Sequence, residues 1–176
     1  MGTAYQEQGR LDEALQEYRI AIQLRPDFTQ AHNNLGVLYE GQGQLEEAVR
    51  EYKTVVALQP DLPDAHYNLG IAYEAQGRME EAIREYQAAL RYKPGLIQAY
   101  NNLGIVYKNQ GRYDKAIQQY KTGLKYHPTA ELYYNLGIAY QKVGELDQAR
   151  EAFQRVLEIK PNSAEARRAL ELLPGD

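Results

Sequence analysis

The sequence contains no cysteine, which excludes disulfide bonds and thiolate chemistry. It also has little net charge, because 20 lysine and arginine residues stand against 24 aspartate and glutamate residues, and neither sign forms a sustained run. Without a basic surface, binding to nucleic acid or to an anionic membrane is not expected. No apolar run approaches the roughly 20 residues that span a bilayer, and no signal-peptide pattern opens the chain. We therefore expect a cytoplasmic protein with no nucleic-acid or membrane partner.

Groups that perform catalysis are equally scarce. Of the three histidines, His32 and His66 lie in the same column of the sequence pattern described below, and no third metal ligand is evident beside them. Such histidines are expected to be packing residues rather than metal ligands. The chain also lacks a glycine-rich phosphate-binding loop and an arrangement of nucleophile and base. We therefore expect that the chain is not an enzyme and carries no cofactor and no metal.

What the chain does contain is a repeat. The pair Leu35-Gly36 returns as Leu69-Gly70, Leu103-Gly104 and Leu136-Gly137, so these glycines are spaced by 34, 34 and 33 residues. A fixed period of this length is typical of stacked helical hairpins, in which each hairpin contacts only its neighbours.

Each period predicts two helices. Gly43 and its equivalents are expected to end the first helix, since glycine adopts the left-handed conformation there. Pro60 and its equivalents are expected to end the second helix, because proline disfavours helix in the residue before it. Gly36, in the middle of the first helix, is expected to allow a close contact with Ala48.

These columns resemble the tetratricopeptide repeat family, in which Leu-Gly, Tyr, Gly, Ala, Tyr or Phe, and Pro recur at the same relative positions. The resemblance implies an all-α fold, a right-handed α-α superhelix (solenoid) of antiparallel helix pairs. We expect a single array over residues 1–176, ended by a capping helix because Glu171 stands in the glycine column. Its expected parts are a partial repeat at 1–28, repeats at 29–62, 63–96, 97–129 and 130–163, and the capping helix at 164–173.

The chain begins inside a repeat, since Met1-Gly2 aligns with Leu35-Gly36. We interpret this start as the result of excision or engineering, with part of the first helix missing. The apolar surface around Leu15, Tyr18 and Ile22 is then expected to be bare and to favour end-to-end self-association.

One face of the first helices is left over after packing, and we call it the first-helix stripe. In the family that the chain resembles, this face lines the concave groove. The stripe consists of Asn33, Asn34, Val37, Tyr67, Asn68, Ile71, Asn101, Asn102, Ile105, Lys108, Tyr134, Asn135, Ile138 and Lys142. The stripe is also polarised in charge. Glu40, Asp64 and Glu74 make its first half acidic, whereas Lys108 and Lys142 make its second half basic apart from Glu131.

Two rows of side chains run along the stripe. The first row is a ladder of asparagines, Asn34, Asn68, Asn102 and Asn135. Their amides are expected to be uncommitted, and an amide both donates to and accepts from an extended peptide backbone. The second row is aliphatic and suits the side chains of a bound segment: Val37, Ile71, Ile105 and Ile138. The ladder is similar to that in the repeat arm of O-GlcNAc transferases, where asparagines hold substrate peptide backbones.

Two interpretations of the ladder stay open, because the amides either bond a neighbouring helix or bind a ligand. At the level of function, we expect a non-catalytic scaffold that binds an extended peptide or partner segment on the stripe. The alternatives are the substrate-selecting repeat arm of a larger glycosyltransferase and a self-associating structural module. A clamp for a C-terminal carboxylate is not expected, because the positions that supply its cations in a chaperone-binding subclass hold Asn33, Tyr67, Gln98 and Asn102.

Overall fold

The computed structural model describes residues 2–174, whose regular structure is eleven α-helices without a strand. The all-α fold is therefore confirmed. The chain divides into two compact units, the first ending at Tyr92 and the second beginning at Lys93. The first unit contains α1 (Gly2–Glu7), α2 (Leu11–Leu24), α3 (Thr29–Gly41), α4 (Leu45–Leu58), α5 (Pro63–Ala75) and α6 (Met79–Tyr92). The second unit contains α7 (Ile97–Asn109), α8 (Tyr113–Tyr126), α9 (Ala130–Val143), α10 (Leu146–Ile159) and α11 (Ala164–Glu171).

The helix ends lie where glycine and proline predict them. Gly43 follows α3 with φ +73°, and the other glycines of its column also have positive φ, up to +82° at Gly144. Residues that carry a side chain rarely adopt this left-handed backbone conformation. The glycine column is therefore confirmed as the end of each first helix. The second helix α4 ends at Leu58, two residues before Pro60, and the same spacing recurs at the other prolines.

Adjacent helices pair into hairpins within each unit. In the first unit α3 packs on α4 and α5 on α6, and in the second unit α7 packs on α8 and α9 on α10. The cores of these hairpins are built on large rings that are completely buried: Tyr52, Tyr86, Tyr120 and Phe153. None of the helices in residues 2–174 combines the length and the apolar character that crossing a membrane requires.

The mid-helix glycines admit these rings. A Cβ atom on Gly36 would lie 2.6 Å from Cε1 of Tyr52, and one on Gly137 would lie 2.6 Å from Cε1 of Phe153. The atoms that an added Cβ on Gly36 would meet first belong to the ring of Tyr52, so the close approach that this glycine permits is to the tyrosine. The expected contact between Gly36 and Ala48 stays a prediction.

The last helix covers the end of the second unit. The hydroxyl of Ser163 caps α11 by accepting a hydrogen bond from the amide of Ala166 at 3.3 Å. Ala169 and Leu173 then pack with Ala149 and Phe153 in one buried cluster. The sequence predicts a capping helix in this position, and the buried side chains of α11 show how it covers α10.

The surface near the start of the chain differs from the expectation. Tyr18 is buried, with 6% of its surface exposed, and its hydroxyl donates to Oε1 of Gln6 on α1 at 3.0 Å. Leu15 and Ile22 are partly buried. A bare surface around these three residues is therefore not observed, because α1 and α3 both pack against α2 and cover the ring. The exposed apolar side chains of α2 are Leu11, Ile20 and Leu24.

Candidate functional site

Both polar atoms of the Asn34 side chain, the first residue of the ladder, are hydrogen-bonded. Nδ2 of Asn34 donates to the hydroxyl of Tyr18 on α2 at 3.1 Å. Oδ1 of Asn34 accepts from Nε2 of Gln30, one turn earlier on α3, at 2.8 Å. The amide therefore joins two consecutive helices, which explains an asparagine in the middle of a helix, where its intrinsic propensity is poor.

The next rungs join neighbouring first helices directly. Asn68 on α5 donates to Oδ1 of Asn33 on α3 at 3.1 Å. In the second unit Asn135 on α9 donates to Oδ1 of Asn101 on α7 at 2.9 Å. Asn101 and Asn135 are only 7% and 9% exposed, so their amides are bonded where an unpaired polar group would be costly.

The expectation that the ladder amides are uncommitted is therefore wrong. Asn34, Asn68 and Asn135 have the partners just described, and Asn102 is partly buried and is not free either. Of the two interpretations, bonding to a neighbouring helix is the one that these contacts support. Contact between the ladder and a peptide backbone stays a prediction.

A chain of hydrogen bonds crosses the stripe of the second unit. Nζ of Lys108 donates to Oδ1 of Asn135 at 3.3 Å, Asn135 donates to Asn101 as above, and Nδ2 of Asn101 donates to Oε1 of Glu131 at 2.8 Å. All three donors point the same way, from the ammonium towards the carboxylate, so the two amides are polarised in series. The cation and the anion are thus connected through buried amides instead of forming a direct ion pair.

The aliphatic row remains partly open. Val37 is 41% exposed, and Ile71 and Ile105 are partly exposed. Ile138 differs because it packs against the buried cluster under the capping helix, as does Tyr134. The row therefore offers apolar contacts on α3, α5 and α7, while on α9 it also supports the core.

The aromatic residues of the stripe line its sides. The ring of Tyr67 is tilted against that of Tyr86, with centroids 5.9 Å apart, and the ring of Tyr134 is tilted against Phe153 at 5.7 Å. Tyr134 also lines an open cleft of about 370 Å³ together with Glu131. Lys142, the last residue of the stripe, is exposed.

Sequence reasoning missed a regular pairing beside the stripe. In the first unit, the buried tyrosine of each second helix donates its hydroxyl to a side chain that stands 12 residues earlier on the first helix. The pairs are Tyr18 with Gln6 at 3.0 Å, Tyr52 with Glu40 at 3.0 Å, and Tyr86 with Glu74 at 2.7 Å. Burial and the Glu40 carboxylate both raise the pKa of Tyr52 far above its usual value. The constant spacing was the signal that could have revealed these pairs.

Two of the three histidines join the two helices of their hairpins. His32 is 7% exposed, and its Nδ1 lies 2.6 Å from Oε2 of Glu51 on α4 while its Nε2 lies 3.0 Å from the carbonyl oxygen of Pro26. The equivalent His66 is bonded in the same way. Among the residues that the structure describes, no group of three or more His, Cys, Asp or Glu side chains is placed to hold a metal ion.

Models of one protein family match nearly the whole chain. Models of the TPR repeat match residues 2–43 and 41–77, and models of the tetratricopeptide repeat match residues 61–127 and 130–163. No curated protein matches the chain.

Solved structures with the same fold cover nearly the whole chain. A crystal structure of MamA is 28% identical and covers 94% of this chain and 97% of that chain, with a TM-score of 0.88. A thermophilic TPR protein from Thermus thermophilus is 27% identical and covers 97% and 96% of the two chains, with a TM-score of 0.70. YrrB, described as a TPR protein with an unusual peptide-binding site, is 22% identical, covers 97% and 89%, and has a TM-score of 0.82. The chain belongs to the tetratricopeptide repeat family.

Proposed function

We propose that this chain is a non-catalytic interaction scaffold whose first-helix stripe binds an extended segment of a partner protein. Proteins with tetratricopeptide repeats are generally protein-interaction scaffolds. The observation that carries the proposal is the partly open aliphatic row, in which Val37 leaves 41% of its surface exposed on an otherwise well-packed helix. Burial of such side chains against a partner contributes about 25 cal/mol for each Å² removed from water.

The asparagine ladder has a supporting part in this proposal. Asn68 joins α5 to α3 in the first unit, and Asn135 joins α9 to α7 in the second unit. A rung that also contacts a ligand backbone exchanges an internal hydrogen bond for an external one, so its net gain is small. Most of the affinity is therefore assigned to the aliphatic row, and specificity to the charged groups beside it.

A peptide selected on the full chain by phage display tests this function. The selected peptide is expected to bind about tenfold more weakly when Val37→Ser or Ile105→Ser removes an apolar contact. Leu58→Ser is the matched control, because Leu58 on α4 is also 41% exposed but lies outside the stripe. Loss of affinity in the control together with unchanged affinity in both stripe variants would place the binding surface elsewhere.

A second candidate function, self-association, is favoured by the outer surface of α2. Ile20 and Leu24 lie one turn apart and are 41% and 82% exposed. Light scattering of the native chain and of the double variant Ile20→Ser, Leu24→Ser decides the matter. A mass that increases with concentration only in the native chain supports association through α2, and a constant monomer mass in both chains rules it out.

A further inference from the structure

The third repeat breaks the pairing of tyrosine with an acceptor. Lys108 stands 12 residues before Tyr120, as Glu40 stands before Tyr52, but an ammonium group has no acceptor atom. The Tyr120 side chain is 0% exposed, and its hydroxyl has no hydrogen-bond partner among the residues that the structure describes. Since buried polar groups are almost always bonded, this hydroxyl is an exception that requires a reason.

The cation at the same position is also poorly neutralised. Nζ of Lys108 donates to Oδ1 of Asn135 at 3.3 Å, which is a long bond to a neutral acceptor. The only carboxylate in its hydrogen-bond chain within the described residues belongs to Glu131 and lies two amides away. Burial without a compensating anion lowers the pKa of Lys108 below its ordinary value. Burial and the charge of the Glu131 carboxylate raise the pKa of Tyr120. That carboxylate accepts a hydrogen bond from neither Tyr120 nor Lys108, so the two side chains present one neutral and one charged donor without a carboxylate acceptor among the described residues.

We propose that Lys108 and Tyr120 form a binding position for a carboxylate, supplied by an aspartate or glutamate side chain of the partner polypeptide. The proposal deepens the function given above and rests on it. The incoming carboxylate takes the place at Tyr120 that the Glu40 carboxylate takes at Tyr52: it accepts the phenol hydrogen bond and pairs with the ammonium. Because the hydroxyl of Tyr120 is buried, the flexible lysine side chain leaves Asn135 and turns outwards to admit the ligand.

The number and charge of the donors favour a carboxylate over a phosphate. The position offers one ammonium and one hydroxyl, whereas a phosphate is typically recognised by bidentate arginines or several charged donors. The protein itself shows that a carboxylate fits against this phenol, since Glu40 and Glu74 do so at 3.0 and 2.7 Å. Ile105 lies one turn before Lys108 on the same face of α7, so an apolar side chain of the same ligand is contacted next to the acidic one.

Two pools of short fluorescein-labelled peptides test the proposal on the full chain. In both pools some positions carry random apolar residues. The remaining positions are all glutamate in one pool and all glutamine in the other. Fluorescence anisotropy is expected to show tighter binding of the glutamate pool, and Lys108→Gln is expected to reduce this preference about tenfold. Lys108→Gln is expected to fold, because the glutamine side chain can accept a hydrogen bond from Tyr120 as Gln6 accepts one from Tyr18. Lys125→Gln, at an exposed lysine of α8, is the control and is expected to change nothing.

The outcomes separate this inference from the proposed function. Equal binding of both pools, or a glutamate preference that Lys108→Gln leaves intact, overturns the carboxylate position while the scaffold function stands. Failure of both pools to bind counts against the scaffold function, and the carboxylate position is then decided by the spectroscopic measurement below.

Carbon NMR at Cε of Lys108 reports on the position directly. The pKa of Lys108 is followed as sodium acetate replaces sodium chloride at constant ionic strength. A bound carboxylate stabilises the ammonium, so the pKa is expected to rise in acetate, and to rise less in Tyr120→Phe, which keeps the ring and removes the hydroxyl. The same pKa in acetate and in chloride overturns the position, and a larger rise in sodium phosphate than in acetate overturns its assignment to a carboxylate.

Discussion

At the scale of single residues, the mid-helix glycines balance two effects. A glycine inside a helix lowers helix stability by about 1 kcal/mol relative to alanine. At Gly36 the gain from alanine is outweighed, because the added Cβ would lie 2.6 Å from the buried ring of Tyr52. We expect Gly36→Ala to lower the free energy of unfolding by about 1–3 kcal/mol, the usual penalty for overpacking.

The control for this prediction lies at the end of the same helix. Gly41 has negative φ, and a Cβ there would meet nothing within 4 Å. Gly41→Ala is therefore expected to raise the free energy of unfolding by up to about 1 kcal/mol in urea titrations followed by circular dichroism. Equal effects of the two substitutions on the free energy of unfolding would show that helix propensity determines the effect of Gly36→Ala, and that the ring of Tyr52 does not.

Lys108 is the second residue at which stability is informative. Lys108→Gln supplies an acceptor to the hydroxyl of Tyr120, which has none among the described residues of the native chain. We expect the free energy of unfolding to rise by about 1 kcal/mol, the typical net value of one hydrogen bond. Lys142→Gln, at the exposed lysine of the stripe, is expected to leave stability unchanged, and a destabilised Lys108→Gln would contradict the pairing argument.

The pH dependence of this gain has a definite sign. Burial lowers the folded-state pKa of Lys108 below its ordinary value of 10.5. The ammonium form of Lys108 is therefore less favourable in the folded chain than in the unfolded chain. The charged lysine therefore destabilises the fold below its folded pKa, and this penalty fades as the pH rises through that pKa and past 10.5. The advantage of Lys108→Gln over the native chain is thus expected to be larger at pH 7 than in strongly alkaline solution.

At the scale of helices, a buried histidine joins each of two hairpins. The bond between His32 on α3 and Glu51 on α4 is 2.6 Å long, and the histidine is almost completely buried. Glu51→Ala leaves the ring nitrogen without its partner, so we expect the free energy of unfolding to fall by about 1–3 kcal/mol. Glu47→Ala on the same helix removes only a surface pair with Arg50, and its expected effect is below about 1 kcal/mol.

The capping helix gives a second comparison between neighbours. Leu173 is 6% exposed and packs in the cluster with Phe153, whereas Leu172 is 67% exposed. Leu173→Ala is expected to lower the free energy of unfolding by about 2–3 kcal/mol, and Leu172→Ala by less than about 0.5 kcal/mol. If both changes are harmless, the cap does not contribute to the stability of the second unit.

The helices could be predicted from the sequence because their limits are local. Gly43 ends α3 through its own backbone conformation, and Pro60 ends α4 by acting on the residue before it. The partners of the ladder amides could not be predicted in the same way. Whether Asn68 meets Asn33 depends on the register between two packed helices, and the repeat period alone gives no distance between side chains.

At the scale of the whole molecule, the repeat predicts the fold but does not show which recurring residues bind a ligand. The columns correctly predicted the family and the helical fold, but a recurring asparagine looks the same whether it binds a ligand or a neighbouring helix. The informative positions are those at which one repeat departs from the others. Lys108 is such a position, because only its contacts show that the missing acceptor leaves Tyr120 unpaired among the described residues.

The most direct test of the binding role is methyl NMR of the full chain with a selected peptide. We expect the largest shifts at the methyl groups of the aliphatic row, Val37, Ile71, Ile105 and Ile138. Methyl groups of exposed residues outside the stripe, Ile20, Leu24, Leu58 and Ile159, are expected to stay in place. Shifts confined to this second group, with the aliphatic row unmoved, would contradict the proposal that the first-helix stripe binds the partner.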